Sequence, residues 1–220
     1  MKKNLISILI TNYNKEKYIK NCLNSVEKQN YKNYEVLLYD DGSTDNSISV
    51  IKKFKKVKLV RNKINKKTSP ALNQIEGLIR LFKKSKGEII CLLDSDDIFN
   101  LNKLSNINLY FEKNKKKNFL VNLPKTIKKF DIKRKKPNNS IWPTIFPTSC
   151  ISCKKIFFSN FLKLIKNKEF PNLEVDARLA IFAHHYYQDF NILNLKLTNY
   201  VIDVNGITSK YPKFSFNWWL

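Results

Sequence analysis

The sequence is poor in the residues and segments on which several classes of protein depend. Its 220 residues include 4 glycines and 2 histidines, so a glycine-rich phosphate loop of the kind that a sugar nucleotidyltransferase uses is not predicted. No apolar run approaches the roughly 18 residues of a membrane span, and residues 5–10 are too short for the core of a signal peptide. These absences favour a protein that is made and kept in the cytoplasm.

Cysteine is also scarce, and the four cysteines do not indicate disulfides or a metal site. Cys22 falls on the apolar face of a predicted helix and Cys91 within a predicted buried strand, positions that are typical of reduced cysteines in a core. Cys150 and Cys153 form one C-x-x-C pair, but zinc would need a second pair or nearby histidines. The cysteines therefore agree with a cytoplasmic protein.

Acidic residues are few, with 18 Asp and Glu against 41 Lys and Arg and a formal net charge of +23. Such an excess usually indicates a polyanionic partner such as nucleic acid, or an anionic membrane. Four of the basic residues are arginines, whereas proteins that read bases and phosphates rely on arginine for bidentate contacts. We therefore interpret the lysines as scattered over solvated faces and predict no specific nucleic acid as partner. A basic polyanion-binding protein stays as the alternative from a different class.

The sequence does contain a regular alternation of short apolar runs and amphipathic segments. Strands are predicted at residues 2–10, 34–39, 58–61 and 89–93, with helices over residues 17–29, after Asp45 and from Ser69. This order predicts an α/β domain with a mostly parallel sheet and helices on both faces. After Asn100 the pattern loosens, with strands predicted at residues 118–123, 149–152 and 191–204 and helices at residues 101–111, at residues 154–165 and from Leu173.

Three carboxylates follow the predicted strand at residues 89–93. Asp94, Asp96 and Asp97 place like charges within four residues, which raises the energy of the site unless a cation lies among them. Carboxylate oxygens are the ligands that hard divalent cations prefer, so this segment predicts a Mg²⁺ or Mn²⁺ site. The alternative is that the acids only cap a helix that begins near Leu101. A calcium-binding loop is not favoured, because the segment lacks the glycine of such loops.

Polar clusters also follow the three earlier strands, at residues 11–14, 40–41 and 61–62. In a parallel α/β sheet, ligands bind outside the carboxyl ends of the strands. All four clusters are therefore predicted to converge at one edge of the sheet, which independent helix caps would not require.

Three segments together resemble signatures of the family 2 glycosyltransferases, which have the Rossmann-like GT-A fold. Residues 8–14 are similar to the family's first strand and nucleotide loop, residues 37–45 to its second signature, and residues 92–97 to its metal motif, all in the same order. The resemblance implies an inverting transfer of a sugar from a nucleotide-sugar donor, expected to be UDP-linked, to a hydroxyl group. It also implies one domain with a nucleotide-sugar-binding half, residues 1–100, and an acceptor-binding half, residues 101–220.

The resemblance also implies roles for residues of the first half. Thr11 and Tyr13 would flank the nucleobase, with the tyrosine ring as a stacking face. Asp40 would accept a hydrogen bond from the ring N–H of uracil or thymine, and Asp94 would contact hydroxyls of the ribose or the sugar.

A divalent cation, Mn²⁺ or Mg²⁺, is implied as cofactor. Asp96 would ligate it, with Asp97 close by, and it would neutralise charge on the departing diphosphate. Near the C-terminus, where members of the family often have a histidine ligand, this chain has Asp203. Either Asp203 replaces the histidine ligand, or the metal site has no ligand at this position.

Asp176 is the predicted general base. The family places a catalytic aspartate at the start of a helix after the acceptor-side strand, and residues 173–179 are the stretch of the second half with acids in that setting. Glu174 is the rival, because adjacent Glu-Asp pairs are common in the family and Val175 separates the two acids here. The alternative is that both acids only complement the helix dipole.

The acceptor is expected to be a glycan or a lipid-linked glycan of the bacterial cell envelope, such as a polysaccharide, lipopolysaccharide or glycolipid. Peripheral contact with the inner membrane surface is a further expectation, through the basic residues 125–136 and the aromatic residues 214–220. The alternatives are that these aromatics pack on the domain, or that the chain continues in a longer protein. An inactive homologue of the family is the alternative to an active enzyme.

Overall fold

The computed structural model describes residues 3–65, 69–125, 143–165 and 170–201. Strands and helices alternate through the first half in the predicted order, although β1 begins at Ile6 rather than at Lys2. The elements are β1 (Ile6–Asn12), α1 (Glu16–Glu27), β2 (Tyr34–Asp40), α2 (Ser47–Ile51), β3 (Val57–Arg61), α3 (Pro70–Lys84) and β4 (Ile89–Asp94).

The second half also contains the predicted elements, with shifted bounds. The helix predicted from Leu173 begins at Val175, with Glu174 as its N-cap, and the strand predicted at residues 191–204 ends at Asn199. The elements are β5 (Ile98–Phe99), α4 (Lys103–Lys113), β6 (Phe119–Pro124), β7 (Ile151–Lys154), α5 (Lys155–Leu164), α6 (Val175–Ile181) and β8 (Asn191–Asn199). Residues 126–142 and 202–220, which include Asp203 and most of the predicted membrane contact, lie outside the described residues.

All eight strands form one sheet, in the order β3-β2-β1-β4-β7-β6-β8-β5. The pairs that join β1 to β2, β1 to β4 and β2 to β3 are parallel, as right-handed crossovers through helices require. β7 is antiparallel to both of its neighbours, β4 and β6, so β6 again runs in the direction of β4. The sheet is thus parallel through the first half and mixed in the second.

Two apolar clusters cover the two faces of the sheet, because neighbouring residues of a strand point to opposite faces. Leu9 and Leu37 belong to the cluster that includes α3, α5 and α6. Ile8, Ile10 and Leu38 belong to the cluster that includes α1 and α4. Each fully buried Leu or Ile contributes roughly 1.5–3 kcal/mol to folding. The predicted helices on both faces are therefore confirmed.

The four cysteines are all free and buried, so the predicted core positions of Cys22 and Cys91 are confirmed. Burial raises the pKa of the Cys150 thiol to about 11, which leaves it protonated and unreactive near neutral pH. In the part of the chain that the structure describes, no helix has the length and apolar character to cross a membrane.

Candidate active site

The predicted convergence of the polar clusters is confirmed by the register of the parallel strands. Asn12 at the end of β1 pairs with Asp40 at the end of β2, and Asp40 pairs with Arg61 at the end of β3. On the other side of β1, Thr11 pairs with Asp94 at the end of β4. The side chains predicted to bind the nucleotide therefore share one edge of the sheet, which we call the acidic edge.

Thr11 and Asp94 contact each other through a third side chain, Gln74 of α3. The Gln74 amide donates to Asp94 Oδ1 at 2.7 Å and to Thr11 Oγ1 at 3.2 Å, and the Thr11 hydroxyl lies 3.4 Å from the same Asp94 oxygen. Gln74 and Thr11 therefore both hold the same oxygen of Asp94, Oδ1. Gln74 could not be identified from the sequence, because nothing in its local pattern distinguishes it from any other polar residue of a helix.

Tyr13 lies in the loop after β1 and is 46% exposed. The exposed Tyr13 ring is available to stack on a base, and this role stays a prediction.

Asp40 occupies a different environment from the predicted one, because it is fully buried, with 0% of its surface exposed. Its Oδ2 accepts hydrogen bonds from the Asn12 amide at 2.8 Å and the Ser43 hydroxyl at 2.5 Å. Its Oδ1 accepts from the Ser43 backbone N–H at 3.0 Å and lies 3.6 Å from Arg61 Nε. A base could reach Asp40 only after one of these partners moved away, so in this structure Asp40 orders the loop.

The next residue, Asp41, fixes the other side of the same loop. Its carboxylate accepts hydrogen bonds from the amides of Asn62 at 3.1 Å, Asn65 at 2.6 Å and Asn73 at 2.9 Å. Gly42 follows with φ of +77°, and a Cβ added there would lie 2.6 Å from the Asn65 backbone nitrogen. Only glycine fits such a position without strain. The Asp-Asp-Gly segment therefore builds a rigid wall for the cleft.

Two of the three acids after β4 have distinct partners. The Asp96 carboxylate forms an ion pair with Lys15 at 2.7 Å and stays partly exposed. Asp97 is fully buried, and its Oδ1 accepts from the Val201 backbone N–H at 2.8 Å. Asp96 is therefore open to a cation from solvent, whereas Asp97 connects the loop to the end of β8.

The pKa values of these acids indicate whether the site suits a divalent cation. Burial, then the charges of Asp96 and Asp97, raises the pKa of Asp94 well above its usual value. Burial raises the pKa of Asp97 to about 7, and its buried Oδ2 has no hydrogen-bond partner within the described residues. A cation would lower the energy of all three carboxylates, and Asp96 already accepts the Lys15 ammonium. The residues fit a cation.

The protein does not, however, provide a complete coordination sphere by itself. Among residues 3–65, 69–125, 143–165 and 170–201, no group of three or more His, Cys, Asp or Glu side chains is close enough to hold a metal ion. A cation held by Asp96 would thus take further ligands from a bound diphosphate, as Mg²⁺ commonly does with substrate phosphates. The metal roles of Asp96, Asp97 and Asp203 stay predictions.

Asp176 and Glu174 at the start of α6 face the same acids. Their charges are among the causes that raise the pKa of Asp94. Burial, then the charge of Glu174, raises the pKa of Asp176 to about 7. The Asp176 Oδ1 accepts only a local backbone bond, from Ala177 N–H at 2.7 Å. Asp176 is thus a partly buried carboxylate with the basicity of a general base.

A buried lysine lies beneath the acidic edge. Lys103 of α4 is fully buried and donates to Ser149 O at 2.5 Å, Asn122 Oδ1 at 2.9 Å and Thr198 Oγ1 at 2.9 Å. The Ser149 hydroxyl in turn accepts from the Asp94 backbone N–H at 2.9 Å. Lys103 therefore joins β6, β8 and the acid loop, and burial lowers its pKa to about 8.

Comparisons with known proteins agree with this geometry. The profile of the family described as Glycosyl transferase family 2 matches residues 7–173. Over 102 residues the chain is 38% identical to the Escherichia coli UDP-Glc:alpha-D-GlcNAc-diphosphoundecaprenol beta-1,3-glucosyltransferase WfgD. The aligned part is 46% of this chain and 38% of WfgD. Over 100 residues it is 35% identical to the Staphylococcus aureus poly(ribitol-phosphate) beta-N-acetylglucosaminyltransferase TarS, covering 43% of this chain and 16% of TarS.

Two solved structures share the fold over nearly the whole chain. S. aureus TarS 1–349 in complex with UDP-GlcNAc matches with a TM-score of 0.73 and 20% identity, over 94% of this chain and 61% of that one. A mannosyltransferase from Pyrobaculum calidifontis in complex with GDP-Man and Mn²⁺ matches with a TM-score of 0.70 and 15% identity, over 96% and 60%. The predicted GT-A fold is confirmed. The chain spans less than two thirds of each of these proteins.

Proposed function

Because the chain belongs to glycosyl transferase family 2, we propose that it transfers a sugar from a nucleotide-sugar donor to a hydroxyl group, with inversion at the anomeric carbon. The observation that carries this proposal is that Asp176, with its pKa raised to about 7 by burial, faces the acidic edge where Thr11 and Asp94 meet. In this proposal Asp176 is the proton acceptor, and the acids after β4 hold the donor diphosphate and its cation.

The proposed reaction is a single displacement. Asp176 takes the proton of the acceptor hydroxyl as its oxygen attacks the anomeric carbon, and the bond from that carbon to the diphosphate oxygen breaks. The nucleoside diphosphate leaves from the opposite face, so the configuration inverts. A divalent cation bound at Asp96 would neutralise charge on the leaving diphosphate. Residues 1–100 would bind the donor and residues 101–220 the acceptor.

Thr11 and Tyr13 are assigned to the base, and Asp94 to hydroxyls of the ribose or the sugar. Asp40 is assigned to loop order rather than to the base, because its carboxylate is buried and its oxygens already accept three hydrogen bonds. UDP is the expected nucleotide, in line with the UDP-GlcNAc bound by TarS 1–349. GDP is the alternative nucleotide, because the Pyrobaculum enzyme is in complex with GDP-Man.

The acceptor is assigned to a bacterial envelope glycan, either lipid-linked or polymeric. The names of WfgD and TarS, which specify a diphosphoundecaprenol-linked sugar and poly(ribitol-phosphate) as acceptors, support this class. A cytoplasmic location is proposed from the four free cysteines.

The proposal predicts a pH profile for transfer at saturating donor. A general base works only when deprotonated, and burial followed by the charge of Glu174 raises the pKa of Asp176 to about 7. The rate is expected to rise about tenfold per pH unit up to that pKa and then to level off. Initial rates measured from pH 5 to pH 9 at saturating Mn²⁺ test this. A rate that is flat between pH 5 and pH 8 would remove Asp176 as the base.

Gln74→Met is predicted to weaken donor binding. The substitution keeps the length of the side chain but removes the donor to Asp94 and Thr11, and a hydrogen bond to a charged group contributes roughly 1.5–3 kcal/mol. The KM for the donor is expected to rise about tenfold or more, with a smaller change in kcat. Gln74→Glu, which adds a carboxylate beside Asp94, should be worse than Gln74→Met. An unchanged donor KM in both variants would show that Gln74 has no part in positioning Asp94.

A further inference from the structure

The exposed lysines are concentrated at one end of the molecule. The structure describes 21 exposed lysines, and 14 of them lie just before a strand or at the end of the helix that precedes that strand. They occupy the connections before β1, β2, β3, β4 and β6, which lie together because these five strands run in the same direction. We call this surface the lysine edge: Lys3, Lys28, Lys32, Lys52, Lys53, Lys55, Lys56, Lys83, Lys84, Lys86, Lys113, Lys115, Lys116 and Lys117.

Direct contacts show that the lysine edge is one surface. The Lys154 backbone N–H donates to Asn118 O at 2.8 Å, and the Lys155 backbone N–H donates to Glu88 O at 2.9 Å. The Lys154 ammonium also donates to Lys115 O. These bonds connect the segment before β6 to the segment before β4 through the end of β7.

Acids at this edge neutralise only part of the charge. Glu35, Glu112 and Asp189 form ion pairs with Lys58, Lys115 and Lys117, at 2.9 Å, 2.8 Å and 3.5 Å. Glu27 and Glu88 are the other acids nearby. Fourteen exposed lysines therefore face five acids, and the edge keeps a large positive charge.

The opposite end of the sheet carries the acids of the candidate site. Asp94, Asp96 and Asp97 follow β4, and Glu174 and Asp176 face them from α6. The molecule is thus strongly polarised along its strands. An anionic surface would attract the lysine edge and repel the acidic edge, so it would orient the whole protein.

We propose that the lysine edge docks the protein on the surface of an anionic lipid bilayer. The edge is broad, since it extends across the ends of five strands spaced about 4.8 Å apart, and its charge comes from lysine, a point charge that suits a diffuse layer of headgroups. The three described arginines, Arg61, Arg80 and Arg178, lie outside it. Ile156, which follows Lys155 at this edge, is 58% exposed and can enter the headgroup layer.

This orientation restricts the acceptor, an inference that rests on the proposed transfer. β1 has 7 residues between the two edges, and a strand rises about 3.3 Å per residue. The reacting hydroxyl would therefore lie at least about 20 Å from the bilayer. The acceptor that fits is the far end of a growing envelope glycan, not the first sugar on a lipid diphosphate.

The test compares two variants of equal net charge. Lys52, Lys53, Lys55 and Lys56 are changed to Gln in one variant, and Lys17, Lys20, Lys163 and Lys196, which are exposed outside the lysine edge, are changed to Gln in the other. Co-sedimentation is measured with phosphatidylcholine vesicles and with vesicles containing phosphatidylserine, at low salt. At roughly fivefold per lysine, the loss of four lysines should weaken the binding of the first variant to anionic vesicles by about 600-fold, and the second variant should lose much less.

Equal losses in the two variants, or no binding of the unmodified protein to anionic vesicles, would overturn the proposal. Tighter binding of single-stranded RNA than of vesicles, through the same four lysines, would also overturn it and make the edge a nucleic-acid surface. The assay uses neither donor nor acceptor, so a negative result would not affect the proposed transfer. Equally, an enzyme assay that refuted the proposed transfer would not affect the result of the vesicle-binding assay.

A second readout tests the orientation. A fluorophore on Lys116→Cys should be quenched by headgroup-labelled lipids, whereas one on Lys63→Cys, in the loop after β3 at the acidic edge, should not. The natural cysteines do not interfere, because all four are buried. The opposite quenching pattern would place the acidic edge on the bilayer and would contradict the docking proposed here.

Discussion

Asp176→Asn is expected to lower the rate of sugar transfer by a factor of 10² or more while leaving nucleotide binding unchanged. The amide keeps the shape of the carboxylate but cannot take the proton of the acceptor hydroxyl, and general-base catalysis contributes about 10²–10⁴-fold. The structure supports Asp176 in this role because burial raises its pKa to about 7 and because its Oδ1 accepts a local hydrogen bond from the Ala177 backbone N–H. Single-turnover rates at saturating donor and donor affinity measured by calorimetry separate the two effects.

Glu174→Gln is the matched control for this prediction. Glu174 is the N-cap of α6, with extended backbone angles, whereas Asp176 lies in the first helical turn, so the two side chains leave the chain in different directions. Glu174→Gln should lose much less than Asp176→Asn. An inactive Glu174→Gln with an active Asp176→Asn would make Glu174 the base, and two active variants would refute the proposed mechanism.

Asp96→Asn is expected to weaken the response of the enzyme to Mn²⁺ strongly. Asp96 is partly exposed and already accepts a cation, the Lys15 ammonium at 2.7 Å. Removing its charge takes away the ligand that would hold the metal on the diphosphate. The concentration of Mn²⁺ that gives half-maximal activity should rise at least tenfold, and kcat should fall.

Lys15→Met is a control that should change the Mn²⁺ requirement in the opposite direction. It removes the cation that competes for Asp96, so less Mn²⁺ should be needed for half-maximal activity. If both variants shifted the Mn²⁺ requirement in the same direction, or if Asp96→Asn matched the unmodified enzyme at limiting Mn²⁺, Asp96 would not be the metal ligand.

Much of the fold could be predicted from the sequence because it depends on local patterns. Apolar runs of four to six residues mark β1, β2 and β4, and the parallel order then requires that Asn12, Asp40 and Asp94 end at one edge. The antiparallel insertion of β7 between β4 and β6 could not be predicted, because no local pattern specifies which distant strand pairs with which.

The interior of the site was harder to predict for the same reason. Gln74 contacts Thr11 across 63 positions of sequence and Ser149 contacts Asp94 across 55, so neither role appears in a local motif. Asp40 matched the family signature, yet its burial depends on Asn12 and Ser43 converging on it. A motif identifies the residues of a site, whereas the hydrogen bonds around each one decide its role.

The interpretation of the lysines as scattered was wrong for the exposed lysines that the structure describes. Lysines recur in the connections that lead into successive strands, and a parallel sheet brings these connections to one end. The separation of charge between the lysine edge and the acidic edge is therefore a consequence of topology, which composition alone does not reveal.

The most direct test of the central claim, that the acidic edge binds a nucleotide sugar with a divalent cation, is a thermal-shift screen of UDP-, dTDP- and GDP-sugars with and without Mn²⁺. A ligand at about 100 times its Kd stabilises the folded state by about 2.7 kcal/mol, which for a chain of this size raises Tm by roughly 5–10 °C. We expect at least one UDP-sugar to give such a shift with Mn²⁺, and Asp96→Asn to lose the part that depends on Mn²⁺. The absence of a shift with every nucleotide sugar, with or without Mn²⁺, would contradict the account.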